Sequence, residues 1–163
     1  MATTKTTSKE KSKKQPLLTI AIPAYNVQDF IEETVNSLTK SKYVDLLEIL
    51  IINDGSKDKT KEIGKKLEKE CASVKLIDKK NGGHGSGINS GIEHATGKYF
   101  RLLDGDDWFD TAEFDKYLEH LKSEDADLVL SDFVECFMKS RLNRPVTFYN
   151  SMKAFKKTEL KNC

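Results

Sequence analysis

The stretch LEILIINDGSKDKTKEIGKKL, residues 47–67, holds one full unit of this chain's architecture. A mainly apolar run rich in branched residues, 47–54, meets the polar turn GSKD; Ile63, Leu67 and Cys71 then recur at i, i+4 and i+8. A continuous apolar run is what a strand covered on both faces requires, and the second spacing is a helix with one apolar stripe. The same order recurs around it. LLTIAIP (17–23) leads through AYN to Ile31, Val35 and Leu38. SVKLID (73–78) leads through KKNGGHGSG to Ile88, Ile92 and Ala95, and KYFRLLD (98–104) leads through an acidic cluster to Phe114, Tyr117, Leu118 and Leu121. ADLVLSDF (126–133) reads as a fifth strand. Strands separated by helices and short links predict an α/β fold with a mainly parallel central sheet and helices on both faces.

The 163 residues suit one domain with a sizeable core. Lys plus Arg number 27 against 26 Asp plus Glu, but residues 1–16 alone hold five Lys and one Glu. The remainder is therefore slightly acidic, which gives no reason to expect a nucleic-acid surface. Residues 1–16 read as a disordered basic tail, with weak attraction to anionic lipid as the alternative. They lack the apolar core of a secretory signal, and no run approaches the ~20 apolar residues of a membrane span. Cys71, Cys136 and Cys163 form an odd, widely spaced set, so neither a disulfide framework nor a zinc site is expected, and a reducing, cytoplasmic setting fits. After Phe133 the pattern weakens: MKSRLNRPVTFYN looks like a turn between extended pieces, and the last dozen residues are polar and helix-compatible.

In open parallel sheets ligands bind beyond the carboxyl ends of the strands. The unusual residues here all fall there: PAYN, NDGS, NGGHGSG and DGDD follow the first four strands in turn. In an extended segment Asp104 and Asp106 would lie about 6.7 Å apart on one face, and at an effective dielectric near 20 they would repel by roughly 2.5 kcal/mol. A hard divalent cation, Mg²⁺ or Mn²⁺, offsets such repulsion and bridges carboxylates to phosphates. The bland alternative is an exposed acidic turn. Asp110 and Thr111 are assigned to capping the next helix, as is Ser56 or Asp58 after the second strand. Asp54, at the strand tip before its turn, can accept from a nucleobase N–H or a ribose hydroxyl. NGGHGSG offers backbone amides at a helix start, with Gly83, His84 and Asn89 as candidate ligands of an anion. It matches neither G-x-G-x-x-G nor G-x-x-x-x-G-K-[ST]. His94 and His120 read as structural or exposed. A phosphatase built on D-x-D does not fit, because Trp108 stands where Thr or Val is needed and the motif follows the fourth strand rather than the first.

TIAIPAYNVQDFIEETVNSL, EILIINDGSKDKT, NGGHGSGINSGIEHATGKYF and RLLDGDDW, in this order, resemble the nucleotide-sugar half of a family 2 glycosyltransferase over about residues 17–133. The resemblance implies a GT-A, Rossmann-like three-layer sandwich and an inverting transferase that uses a nucleotide-sugar, most often a UDP-sugar, with Mg²⁺ or Mn²⁺. Pro23, Ala24 and Tyr25 would line the nucleoside pocket with Asn26 beside them, and Asp54 would hold the base. Asp104 and Asp106 would be the DxD pair on ribose and metal-bridged diphosphate, with Asp107 extending the cluster. Two positions depart from the family pattern: Ile88 replaces an Arg before Asn89, and Asn53 replaces the first Asp of a DDGS pattern. The acceptor would be a carbohydrate or lipid-linked hydroxyl in polysaccharide or glycolipid synthesis, with possible peripheral membrane association. Residues 134–163 would begin an acceptor-side region that looks truncated. No residue matches the family's general base, for which Asp132 and Glu135 are candidates by chemistry alone. The alternative function is a non-catalytic nucleotide-sugar-binding module or inactive fragment.

Overall fold

The structure, a computed structural model, describes residues 14–137 and 142–146. The element order is β1 (Leu18–Ala24), α1 (Ile31–Thr39), β2 (Leu47–Asp54), α2 (Thr60–Glu70), β3 (Val74–Lys79), α3 (His84–His94), β4 (Tyr99–Leu102), α4 (Thr111–Ser123), β5 (Phe133–Phe137) and β6 (Leu142–Val146). Two compact units divide between Glu124 and Asp125. In the first, four parallel strands run in the order β3-β2-β1-β4.

The central strands behave as the apolar runs require: every residue of β1 and of β2 is buried. Enclosing a branched aliphatic side chain contributes about 1.5–3 kcal/mol, so Ile20, Ile22, Ile49 and Ile51, all fully enclosed, anchor the sheet. The outer strands are less covered. Phe100 and Leu102 of β4 stay partly exposed, and in β3 only Val74 is fully buried.

Helices flank the sheet on both sides. Ala21 pairs with Leu50 and Ile22 with Ile51, so Ala21 and Ile51 point to opposite faces. A Cβ built on Gly91 of α3 would meet Ala21, whereas one on Gly64 of α2 would meet Leu76 and Ile51. α3 therefore covers one face and α2 the other, as right-handed crossovers demand once the chain reverses direction after β3. α1 packs beside α2.

Stripes read from periodicity are correct for α1 and α4: Ile31, Val35, Leu38, Phe114, Leu118 and Leu121 are all buried. They fail for α3. Ile92 is 56% exposed, and the buried face is Gly87, Ser90 and Gly91. The cause is closeness: a Cβ on Gly91 would come to 2.5 Å from that of Ala21, so only a small-residue face lets this helix lie on β1.

The expected fifth strand, 126–133, is also corrected. Residues 126–132 are irregular, and β5 begins at Phe133 and pairs antiparallel with β6 in the second unit. The central parallel sheet thus has four strands among the described residues. Most of MKSRLNRPVTFYN (138–150), read as a turn between extended pieces, the polar segment at the chain's end and most of the basic tail lie outside the described residues. Gln15 and Pro16, assigned to that tail, are held to the fold: Gln15 Nε2 donates to the Thr96 carbonyl and the Pro16 carbonyl accepts from Lys98 N. Among the described residues Cys71 and Cys136 are free thiols, and no helix is long and apolar enough to cross a membrane.

Candidate functional site

The chain steps from β1 to β2 to β3 in one direction and then returns to place β4 on the other side of β1. The reversal makes the carboxyl ends of β1 and β4 a topological switch point, where open α/β sheets bind their ligands. PAYN and DGDD flank that crevice, with NDGS and NGGHGSG beyond the neighbouring tips.

The first two loops are stitched together. Asn26, in the left-handed region at φ 56°, donates its N–H to Ser56 Oγ, and its side-chain oxygen accepts from Lys57 N at 2.8 Å. Val27 N donates to Thr60 Oγ1, and Gln28 N donates to Asp58. Asp58 also accepts from Thr60 N at the start of α2, whereas Ser56 serves the loop-to-loop contact instead of a cap. Pro23 and Ala24 are buried beneath this seam, and Tyr25 presents a half-exposed ring at the β1 tip. Asn53 is buried, donating to Asp78 and accepting from Ser56 N, so both ends of its amide are engaged within the fold.

Asp54 is buried at the end of β2. Its Oδ1 accepts from Lys79 Nζ at 2.5 Å and from Gly82 N at 3.0 Å; Oδ2 accepts from Gly82 N at 3.2 Å and Gly83 N at 2.9 Å. Burial alone would raise this carboxyl, but the hydrogen bonds from Lys79, Gly82 and Gly83 and the charge of Lys79 outweigh it and hold it below the usual carboxylate range. Lys79 was not singled out in the sequence, where it looked like part of the third loop. The structure extends β3 through it and sets it directly opposite Asp54 in register. Opposite charges at paired strand ends were the available signal.

At the other tip, β4 stops at Leu102, two residues before the expected end, and Gly105 and Asp106 form a turn closed by Asp107 N donating to the Asp104 carbonyl. The extended spacing assumed for Asp104 and Asp106 is therefore replaced by a turn. Gly105 suits this close approach, because a Cβ there would press on Val27 and lie 3.2 Å from the Pro23 carbonyl oxygen. The three carboxylates are exposed and electrostatically coupled. Desolvation first, then repulsion from Asp106 and Asp104, pushes the Asp107 carboxyl above its ordinary value. Asp110 caps α4 by accepting from Ala112 N and Glu113 N, as expected; Thr111 instead donates to the Ser37 carbonyl. Beside this loop a shallow cleft of about 500 Å³ runs along α1, lined by Asp29, Glu33, Trp108 and Phe109 among others.

The third loop meets the fourth: His84 Nε2 lies 3.9 Å from Asp104 Oδ1, both exposed. Gly83 and Asn89 are exposed on the loop and on α3. Asp132 and Glu135 belong to the second unit, with Glu135 opposite Arg144 in the β5–β6 ladder. Among the described residues no three Asp, Glu, His or Cys side chains are arranged to hold a metal by themselves. The exposed turn instead offers hard oxygen donors of the kind that share Mg²⁺ or Mn²⁺ with a ligand's phosphates, and the residues fit such an ion in that way.

A parallel α/β sheet with acidic and glycine-rich loops at its switch point places the chain among the open α/β folds, whose ligand sites lie beyond the strand ends. Comparison places it further. The glycosyl transferase family 2 profile matches residues 19–162, and the chain belongs to that family. It is 39% identical over 114 residues to the uncharacterized glycosyltransferase EpsJ of Bacillus subtilis, covering 70% of this chain and 33% of that protein. It is 41% identical over 95 residues to the hyaluronan synthase of Pasteurella multocida, covering 58% of this chain and 10% of that one. Among solved structures, S. aureus TarS 1-349 in complex with UDP-GlcNAc aligns with a TM-score of 0.59 at 25% identity, over 65% of this chain and 31% of that 1-349 chain. The mannosyltransferase PcManGT from Pyrobaculum calidifontis, in complex with GDP-Man and Mn²⁺, aligns at 0.58 with 21% identity over 69% of this chain and 34% of its own length. The fold is GT-A. The chain spans about a third of the length of EpsJ and of these two structures.

Proposed function

We propose that this chain binds the donor of a metal-assisted, inverting glycosyl transfer, with a UDP-sugar as the donor. The observation that carries the reading is the junction of the third and fourth loops across the switch point, His84 at 3.9 Å from Asp104, beside three coupled carboxylates. The likeness to TarS, solved with UDP-GlcNAc, supports the choice of nucleotide, and the likeness to a hyaluronan synthase supports polysaccharide assembly.

In this reading the nucleoside lies along Pro23, Ala24 and Tyr25, with Asn26 fixing their loop and Asp54 at the base edge. Asn53 keeps the β2 tip in place through Asp78. Gly83, His84 and Asn89 line the diphosphate side, where the positive end of α3 favours negative charge. Asp104 meets the ribose, and Asp106, with Asp104 and Asp107, holds Mg²⁺ or Mn²⁺. When bound, that ion neutralises charge developing on the departing diphosphate. An acceptor hydroxyl attacks the anomeric carbon from the opposite face, a carboxylate takes its proton, and the bond to the diphosphate breaks. Asp132 and Glu135 are the carboxylates to test for that proton transfer.

The experiment is release of UDP from UDP-sugars by the chain in Mn²⁺, with and without carbohydrate acceptors. Turnover above the protein-free rate supports a transferase. Metal-dependent UDP binding without any turnover would support a donor-binding module instead, and absence of UDP binding at millimolar ligand would overturn both.

A further inference from the structure

We propose that the cleft along α1 is a glycan subsite, in which Trp108 is the stacking platform for a neutral saccharide chain held beside the donor site. The inference rests on the reading of this chain as a transferase acting on carbohydrate, and it uses none of the residues assigned to the donor. The cleft opens between α1 and the segment that leads into α4, and its volume of about 500 Å³ falls within the range of small-ligand sites.

Two neighbouring aromatics meet opposite fates there. Phe109 turns to the core: its ring centroid lies 4.5 Å from that of buried Phe114, and the Arg101 guanidinium carbon stands 4.9 Å from it. Trp108 is left 47% exposed on the wall of the cleft, although a side chain of this size is mostly buried in folded proteins. Its backbone is fixed on either side. Thr34 Oγ1 donates to the Gly105 carbonyl at 3.0 Å, Phe109 N donates to Ser37 Oγ at 3.2 Å, and Thr111 Oγ1 donates to the Ser37 carbonyl at 3.1 Å. The segment is tied to α1 before any ligand arrives, which lowers the ordering cost of binding.

The opposite wall supplies the polar half. Asp29, Glu33 and Asn36 line it, from the turn before α1 and from α1 itself. Glu32 is taken up by Lys66 at 2.8 Å, whereas among the described residues no ion pair holds Asp29 or Glu33. A pyranose ring presents an apolar face of C–H groups and a rim of hydroxyls. The C–H face suits the negative face of an indole, the hydroxyls donate to carboxylates in charge-assisted hydrogen bonds, and an amide both donates and accepts. Acidic residues in the first turn of α1 also suit its dipole, but the dipole gives no reason for an exposed indole across from them. Charge then sets the class of saccharide. A chain bearing carboxylates or phosphates would face Asp29 and Glu33, with Lys40, at the far end of α1, as the single cation of the lining. Because Trp108 directly follows Asp107, a chain stacked on it starts at the edge of the acidic turn. The subsite holds the part of a growing polysaccharide away from its reacting end.

The test uses Trp108 as its own reporter, because it is the only tryptophan of the chain. In EDTA and without nucleotide, emission is followed as the chain is titrated with neutral oligomers of glucose, galactose and N-acetylglucosamine and with oligogalacturonate. At least one neutral oligomer should shift the emission saturably at millimolar concentration, and oligogalacturonate should bind at least about tenfold more weakly. Glu33→Gln, which removes one charge, should narrow that gap severalfold. Trp108→Ala, followed by calorimetry, should lose glycan binding while its urea midpoint and its Mn²⁺-dependent UDP binding stay unchanged. No emission change with any neutral oligomer overturns the proposal. So does oligogalacturonate binding as tightly as they do, or a folded Trp108→Ala that binds glycan unaltered. If glycan binds but UDP does not, the donor reading fails and this subsite stands.

Discussion

The β2 and β4 tips sit at the same end of one sheet; β2 ends in Asp54, and the turn that follows β4 carries Asp104, Asp106 and Asp107. At β2 the carboxylate of Asp54 is buried, met by an ammonium and two backbone amides, and held below its ordinary pKa. At β4, Asp104, Asp106 and Asp107 are exposed, and Asp107 is pushed above its ordinary pKa. The difference separates two uses of the same side chain. A carboxylate whose partners come from the chain contributes to folding, whereas like charges held together by a tight turn oppose folding and suit a cation brought by a ligand.

If that contrast holds, Asp54→Ala costs about 3 kcal/mol of stability in urea denaturation, because a partly buried ammonium and two amides lose their acceptor. A cost within about 0.5 kcal/mol, the ordinary range of surface substitutions, would erase the contrast. Lys79→Met removes only one of the donors from Asp54, and its expected cost is smaller, about 1.5 kcal/mol.

Acid sharpens the comparison through opposite signs. Asp54 has its folded pKa below the unfolded value, so its stabilisation is complete above pH about 4 and is lost as pH falls through the folded pKa. Glu48, buried and held low by Lys75, Thr96 and Thr19 against the desolvation that would raise it, adds to the same loss. Asp107 runs the other way: its folded pKa is raised, so it disfavours folding above that pKa and the penalty disappears as it protonates. Urea midpoints measured between pH 3 and 7 should fall toward acid, and the fall should be shallower in Asp54→Asn. The smallest effect belongs to Asp107→Asn, which should raise metal-free stability at pH 7 by a few tenths of a kcal/mol. A loss of 1 kcal/mol or more would mean that Asp107 has a structural partner.

The same contrast explains what could be read in the sequence. Strand, turn and helix order came through because burial on two faces leaves a near-continuous apolar signature, as in β1 and β2. The acidic turn came through because four aspartates in seven residues stand out locally, and Asp110 as a cap is a local property. Contacts between distant segments did not. The seam of Asn26, Ser56, Gln28 and Asp58 joins residues about thirty apart, and the Asp54–Lys79 pair becomes visible only once β2 and β3 are in register. The α3 stripe misled because periodicity counts large apolar residues, whereas that interface is made by Gly87, Ser90 and Gly91. ADLVLSDF looked like a strand on composition, but composition does not name its partner.

The most direct measurement of the central claim is calorimetric titration of UDP into the chain and into Asp106→Ala, each with Mn²⁺ and with EDTA. The account predicts that Mn²⁺ tightens UDP binding at least tenfold in the unaltered chain, and that Asp106→Ala abolishes this gain while its urea midpoint stays unchanged. UDP binding that ignores Mn²⁺, or a folded Asp106→Ala that keeps the full metal-dependent gain, would contradict it.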